Sequence, residues 1–139
     1  MTADEIIAHL ALEPHPEGGW YRQTWQADDG PRASGTCIYF LLRDGERSHW
    51  HRVDATEIWH FYAGAALKLF TSMSDTGPAE CQTLGTDLDN GDIPQVIVPK
   101  NCWQSATTTG AWTLVGCTVS PGFEFSGFEL APDNFDIAR

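Results

Sequence analysis

Apolar positions follow two periods along this chain, a helical one at the start and a strand-like one from about residue 20 onward. Thr2 and Glu5 stand three apart as a capping box, and Ile6, Ile7 and Leu10 share one face. A short amphipathic helix ending near Leu12 is predicted. EPHPEGG follows as a rigid, turn-rich connector in which Pro16 stiffens the chain and Gly18 and Gly19 permit unusual dihedrals. His15 and Glu17 are expected mainly at the surface, with a place at the lip of a pocket as the alternative.

Beyond the connector the chain breaks into short runs rich in aromatic and β-branched residues: WYRQTWQ, GTCIYFLL, TEIWHFYA, ALKLFTS, AECQTLG, PQVIVP, WTLVGCTVS and FEFSGFEL. Turn signals separate them, among them DDGP, RDGE, DTGP, DNGD and SPG. Many short strands with Gly-centred turns predict an all-β sandwich, barrel or jelly roll. We expect one domain over 1–139, with the helix in 1–12 and the barrel in 13–130.

Composition narrows the partners. A hydrophobic content of 42% supports a folded globule. Eight Lys and Arg against nineteen Asp and Glu give a net charge of -11, a field that repels phosphate backbones and makes nucleic acid an unsuitable partner. No apolar run approaches the roughly 20 residues that cross a bilayer, so no membrane partner is expected. MTADEII is acidic and lacks a signal-peptide profile, so the cytoplasm is expected. The four cysteines form no CxxC pair and read as buried free thiols.

Candidate chemistry concentrates in GERSHWHRVDATEIWHFYAG, residues 45 to 64. Histidine and carboxylate at close spacing commonly hold a divalent metal. On TEIWHFYA alternate side chains point to opposite faces, so Glu57, Trp59 and Phe61 share one side and His60 the other. His49 has the same parity as His51 and reaches it if the strand runs unbroken.

The order Gly45, His51, Val53, Glu57, Gly64 resembles the first motif of the cupin superfamily, whose two histidines and glutamate are ligands in metal-bearing members. Val53 stands at the second histidine position and has no ligand chemistry. PKNCWQ resembles the second motif: Pro99 matches, Asn101 replaces a glycine and Gln104 replaces the last histidine. Asn tolerates the left-handed backbone such a turn needs. An amide oxygen at Gln104, by contrast, is a weak neutral ligand.

EPHPEGGWYRQTW, SHWHRVDATEIWHFYAG, PQVIVPKNCWQSA and LVGCTVSPGFEFSGFEL together resemble the small single-domain cupin-5 group over about residues 13 to 130. That resemblance implies a double-stranded β-helix, the cupin jelly roll, usually assembled as a homodimer, with a ligand cavity between its sheets. The group brings no settled reaction.

Within such a cavity His51 and Glu57 are the candidate catalytic pair, since an imidazole titrates near neutrality and a buried carboxyl is raised toward it. Gln104, Trp59, Tyr21, Arg22 and Lys100 are the candidate ligand-binding residues. Metal-free cupin epimerases pair a histidine base with a tyrosine acid, a role open here to Tyr21, Tyr39 or Tyr62. The first reading is a metal-independent isomerase, epimerase or lyase acting on a sugar or related small polar metabolite. The alternatives are a non-catalytic binding or sensing module, and a metal-dependent enzyme using His49, His51, Glu57 and Gln104. Against all three stands a purely structural His51–Glu57 hydrogen bond, with Trp59 and Trp103 as core packing and Arg22 paired to surface acid.

Overall fold

The computed structural model describes residues 1–139. The helix α1, Ala3–Leu10, carries the expected capping box: Thr2 accepts from the Glu5 amide while the Glu5 carboxylate accepts from Thr2. Ala11 ends it in a left-handed conformation, with φ of 53°. Ile6 and Leu12 pack with Leu41, and Trp20, Tyr39 and Trp112 surround them, so the helix covers the outer face of a sheet.

Eleven strands follow: β1 Glu13–Pro14, β2 Trp20–Gln26, β3 Thr36–Arg43, β4 Arg47–Val53, β5 Thr56–Gly64, β6 Leu67–Ser72, β7 Glu80–Leu84, β8 Gln95–Val98, β9 Trp103–Thr108, β10 Trp112–Ser120 and β11 Phe128–Leu130. They form a six-stranded sheet in the order β1-β2-β3-β10-β5-β8 and a five-stranded sheet in the order β11-β4-β9-β6-β7. Every paired strand runs antiparallel to its neighbour. Two antiparallel sheets with crossing connections, packed face to face, make the jelly roll. No helix is long and apolar enough to cross a membrane.

Between the sheets Phe40, Leu42, Trp59, Leu67, Leu69, Leu84, Val115 and their neighbours form the main core. The alternation expected on β5 holds: Glu57 and Trp59 are buried, while His60 faces outward, bonded to Thr118 and Gln95.

Three expectations need correction. FEFSGFEL is not one strand but a single turn of 3-10 helix, Phe125–Gly127, followed by the short β11. The Asp54 amide donates to the Gly127 carbonyl at 3.1 Å, which ties the turn to the β4–β5 connection. β4 and β9 lie outside the apolar runs, because β9 buries Gln104, Ser105 and Ala106 instead of a β-branched stripe. Of the cysteines, all free, Cys102 and Cys117 are buried, Cys37 is half-buried and Cys81 is exposed.

Candidate functional site

At one end of the barrel a cavity of about 150 Å³ opens between the sheets. Its polar lining is His15, Glu17, Gln23, Thr36, His51 and Glu57; Tyr21, Phe123 and Phe125 supply aromatic faces, and Ile38, Val53 and Val119 the aliphatic remainder. The expected pair, His51 and Glu57, is therefore brought to one space. Both are nearly inaccessible, at 2% and 8% exposure.

His51 is oriented by its own strand. Its Nδ1 lies 2.7 Å from the His49 carbonyl oxygen, which can only accept, so Nδ1 carries the proton. Nε2 is left with its lone pair toward the cavity, 3.5 Å from Glu17 Oε1. Burial holds the His51 pKa below its ordinary value, against the pull of Glu57 and the His49 carbonyl.

Glu57 is held from behind. Gln104 Nε2 donates to Glu57 Oε1 at 2.8 Å, and the Trp59 indole N–H donates to Gln104 Oε1 at 2.7 Å. The indole fixes which way the amide faces, and the amide fixes the carboxyl. Burial raises the Glu57 pKa to about 7, with Glu17 adding and His51, Gln104 and the Cys117 thiol opposing.

His15 and Glu17 overturn the surface expectation, each being 9% exposed. Gly18 and Gly19 explain this. Gly18, at φ of 107°, lies so close to the Arg47 carbonyl that a Cβ would overlap it. The Glu17 carbonyl accepts from the His49 amide at 2.8 Å. The β1–β2 turn is thus laid across the start of β4, which carries Glu17 inward to accept from the Ser48 hydroxyl. Burial raises the Glu17 pKa to about 8, with Ser48 opposing. Burial, then the neighbouring His51, lowers His15 to about 4. With Glu17 raised and both histidines lowered, the 3.3 Å His15–Glu17 and 3.5 Å His51–Glu17 contacts are neutral at pH 7 rather than ion pairs.

The remaining expected residues divide. Tyr21 lines the cavity, with its ring 4.5 Å from that of His15. Trp59, 1% exposed, lies behind Gln104 in the core. Tyr39 and Tyr62 pack together on the outer face of the six-stranded sheet. Arg22 donates to the Leu10 carbonyl at 3.1 Å, tying α1 to the sheet, and Lys100 is exposed in the turn before β9. That turn has the expected left-handed Asn101, with φ of 63°.

The residues at the cupin metal positions do not fit a metal. Val53 offers no ligand, and the Gln104 oxygen already accepts from Trp59. His49 does not share the His51 face. A register shift between Ser48 and His51 breaks the alternation of β4 and sends His49 to the Pro132 carbonyl at 2.8 Å and to Arg47. No group of three His, Cys, Asp or Glu side chains is placed to hold an ion.

Comparison with known proteins gives the chain a family. A family model described as cupin superfamily (DUF985) matches residues 4–131. The crystal structure of a Shewanella oneidensis protein is 44% identical, covers 94% of this chain and 85% of its own, and superposes with a TM-score of 0.89. A hypothetical protein from Leishmania major is 28% identical over 97% of this chain and 90% of its own, at a TM-score of 0.88. Oxalate decarboxylase from Bacillus subtilis, at 12% identity, matches 84% of this chain and 29% of its own with a TM-score of 0.65, a likeness of fold alone. No curated protein matches the chain.

Proposed function

This chain belongs to the cupin superfamily (DUF985), and from its cavity we propose a metal-independent enzyme that moves protons on a small polar metabolite. The observation that carries this reading is His51, whose Nδ1 is bonded to its own strand so that Nε2 faces Glu17 at 3.5 Å in a cavity beside a buttressed carboxyl.

The chemistry follows from the two protonation states. His51 Nε2 takes the proton from a carbon next to a carbonyl, and the C–H electron pair becomes the new C=C bond. The carbonyl π pair moves onto oxygen, which receives the proton of Glu57, raised to about 7. Return of a proton to carbon gives an isomer or epimer, whereas loss of a β-substituent gives elimination. Gln104 acts by holding Glu57 in place, as its amide faces the carboxyl.

Size limits the substrate. A cavity near 150 Å³ is about the size that encloses a benzene ring. The enclosed part is then one small ring or chain, sugar-like or otherwise, with any larger portion outside the mouth. Tyr21, Phe123 and Phe125 supply the flat faces, while Trp59, a candidate for ligand contact, lies in the core.

Incubation with small hydroxy-carbonyl compounds in D2O, read by proton NMR, tests this. Wild type is expected to exchange one C–H of a ligand that raises its melting temperature, and His51→Ala to exchange none while still folding. Ligands that bind wild type without exchange would make the cavity a binding or sensing site only. Stoichiometric metal in untagged protein purified without chelator would contradict metal independence.

We also propose a homodimer through the outer face of the six-stranded sheet, where Tyr62 and Ile97 are exposed beside half-buried Tyr39 and Ile58. Light scattering on the eluted protein checks it, and a monomer would count against it. The proposed compartment is the cytoplasm, which keeps the four free thiols reduced.

A further inference from the structure

The cavity combines features that His51–Glu57 proton transfer does not use. Glu17 adds a second carboxyl to the lining, and no lining residue is Lys or Arg. Neighbouring arginines are engaged elsewhere: Arg22 with the Leu10 carbonyl, Arg32 with Asp54 and Glu124, Arg47 with His49, and Arg52 with Glu129. The rings of Tyr21 and Phe125 lie 4.5 and 6.3 Å from that of His15, whose Nδ1 is 3.3 Å from Glu17 Oε1. The whole chain carries a net charge of -11.

Resting on the reading of this cavity as a ligand site, we propose that it takes a small primary ammonium compound, with Glu17 as the anion that receives the ammonium group. Three physical terms favour a cation here. The protein field concentrates cations at the mouth. Aromatic faces attract an ammonium through their quadrupole. Glu17 Oε1 has no hydrogen-bond donor of its own, whereas Oε2 is bonded by Ser48. A carboxylate ligand would meet two carboxyls and two imidazoles that burial keeps neutral, with no guanidinium or ammonium to receive it.

Binding is linked to a proton. In the free protein Glu17 is raised to about 8 and holds its proton at pH 7. An arriving ammonium displaces that proton to solvent and leaves a carboxylate–ammonium pair. The groups facing Glu17 are His15 from its own turn, Tyr21 from β2, Ser48 and His51 from β4, Glu57 from β5 and Cys117 from β10. His15 and His51 stay neutral at pH 7, and Glu57 is already bonded by Gln104 and the Cys117 thiol, so Glu17, bonded only through Oε2, is the carboxyl placed to answer the cation.

Three compounds of nearly one shape test the assignment on the intact protein: cyclopentylamine, cyclopentanol and cyclopentanecarboxylate. Calorimetry at pH 7 in two buffers of different ionisation enthalpy is expected to show the amine binding about tenfold or more tighter than the alcohol, with release of a proton. The carboxylate is expected not to bind. In Glu17→Gln the amine-over-alcohol preference should fall about tenfold. In wild type, which needs no variant to fold, amine affinity should rise about tenfold or more from pH 6 to pH 8, and more steeply than alcohol affinity. Equal affinity for amine and alcohol, tighter binding of the carboxylate, or an amine preference that survives Glu17→Gln would overturn the ammonium assignment and leave the cavity reading intact. Binding of none of the three would count against both.

Discussion

The same strands build two opposite environments at the two ends of the barrel. On β5 the inward face passes from Glu57 at the cavity to Trp59 in the core. On β3 it passes from Thr36 and Ile38 to Phe40 and Leu42, and on β10 from Val119 to Cys117 and Val115. The closed end is dry and apolar. The open end holds two carboxyls and two imidazoles, and all four have their charged forms disfavoured by burial. Gln104 is the joint between them, bonded to Trp59 on the core side and to Glu57 on the cavity side. One end contributes stability; the other gives up stability to keep titratable groups out of water.

The sharpest way to break this contrast is to damage the closed end. Trp59→Ala removes a fully buried ring and leaves the Gln104 oxygen without its donor. A loss of about 3–5 kcal/mol in urea unfolding is expected. A loss under about 1 kcal/mol would mean that the core is not built around this ring.

The joint comes next. Gln104→Leu keeps the volume but strands the Trp59 N–H and removes the donor to Glu57. It should lower stability by about 1–3 kcal/mol and raise the Glu57 pKa further, read by carboxyl carbon shifts in NMR. An unchanged Glu57 titration would detach the amide from the site.

The open end predicts a pH dependence of stability. His15 and His51 are lowered from 6.5, so below that pH the unfolded chain binds more protons, and stability rises with pH. Glu57 and Glu17 are raised from 4.5 to about 7 and about 8, so between those values the folded chain binds more protons, and stability falls as pH rises. The two trends oppose each other up to pH 6.5. Above it only the carboxyls act, and stability should decline from pH 6.5 to 8, by about 1–2 kcal/mol for Glu17, read as a falling melting temperature. Glu17→Gln should flatten most of that decline. A curve that rises through this window would contradict the buried, protonated carboxyl.

The closed end was the legible one. Apolar, β-branched runs mark the strands that supply it, and the parity of TEIWHFYA places Glu57 inward and His60 outward. Much of the open end comes from segments whose local sequence points elsewhere. HPEGG reads as an exposed turn because Pro and Gly are usual there. It is buried because Gly18 allows backbone-to-backbone approach at Arg47, and only the pair of adjacent glycines hints at such an approach. His49 would reach His51 only on an unbroken strand, and a bulge leaves no mark in the residues it displaces. Gln104 could be placed from its motif, yet its direction depends on the Trp59 indole across the barrel. Burial of polar residues by long-range contact is what the local pattern does not encode.

The central claim is that His51 is a neutral base with its lone pair toward the cavity. Long-range proton–nitrogen correlation spectra of the histidine side chains at pH 7 test it directly. The account predicts that His51 carries its proton on Nδ1 and leaves Nε2 bare at pH 7. A proton on Nε2, or an imidazolium at pH 7, would contradict it.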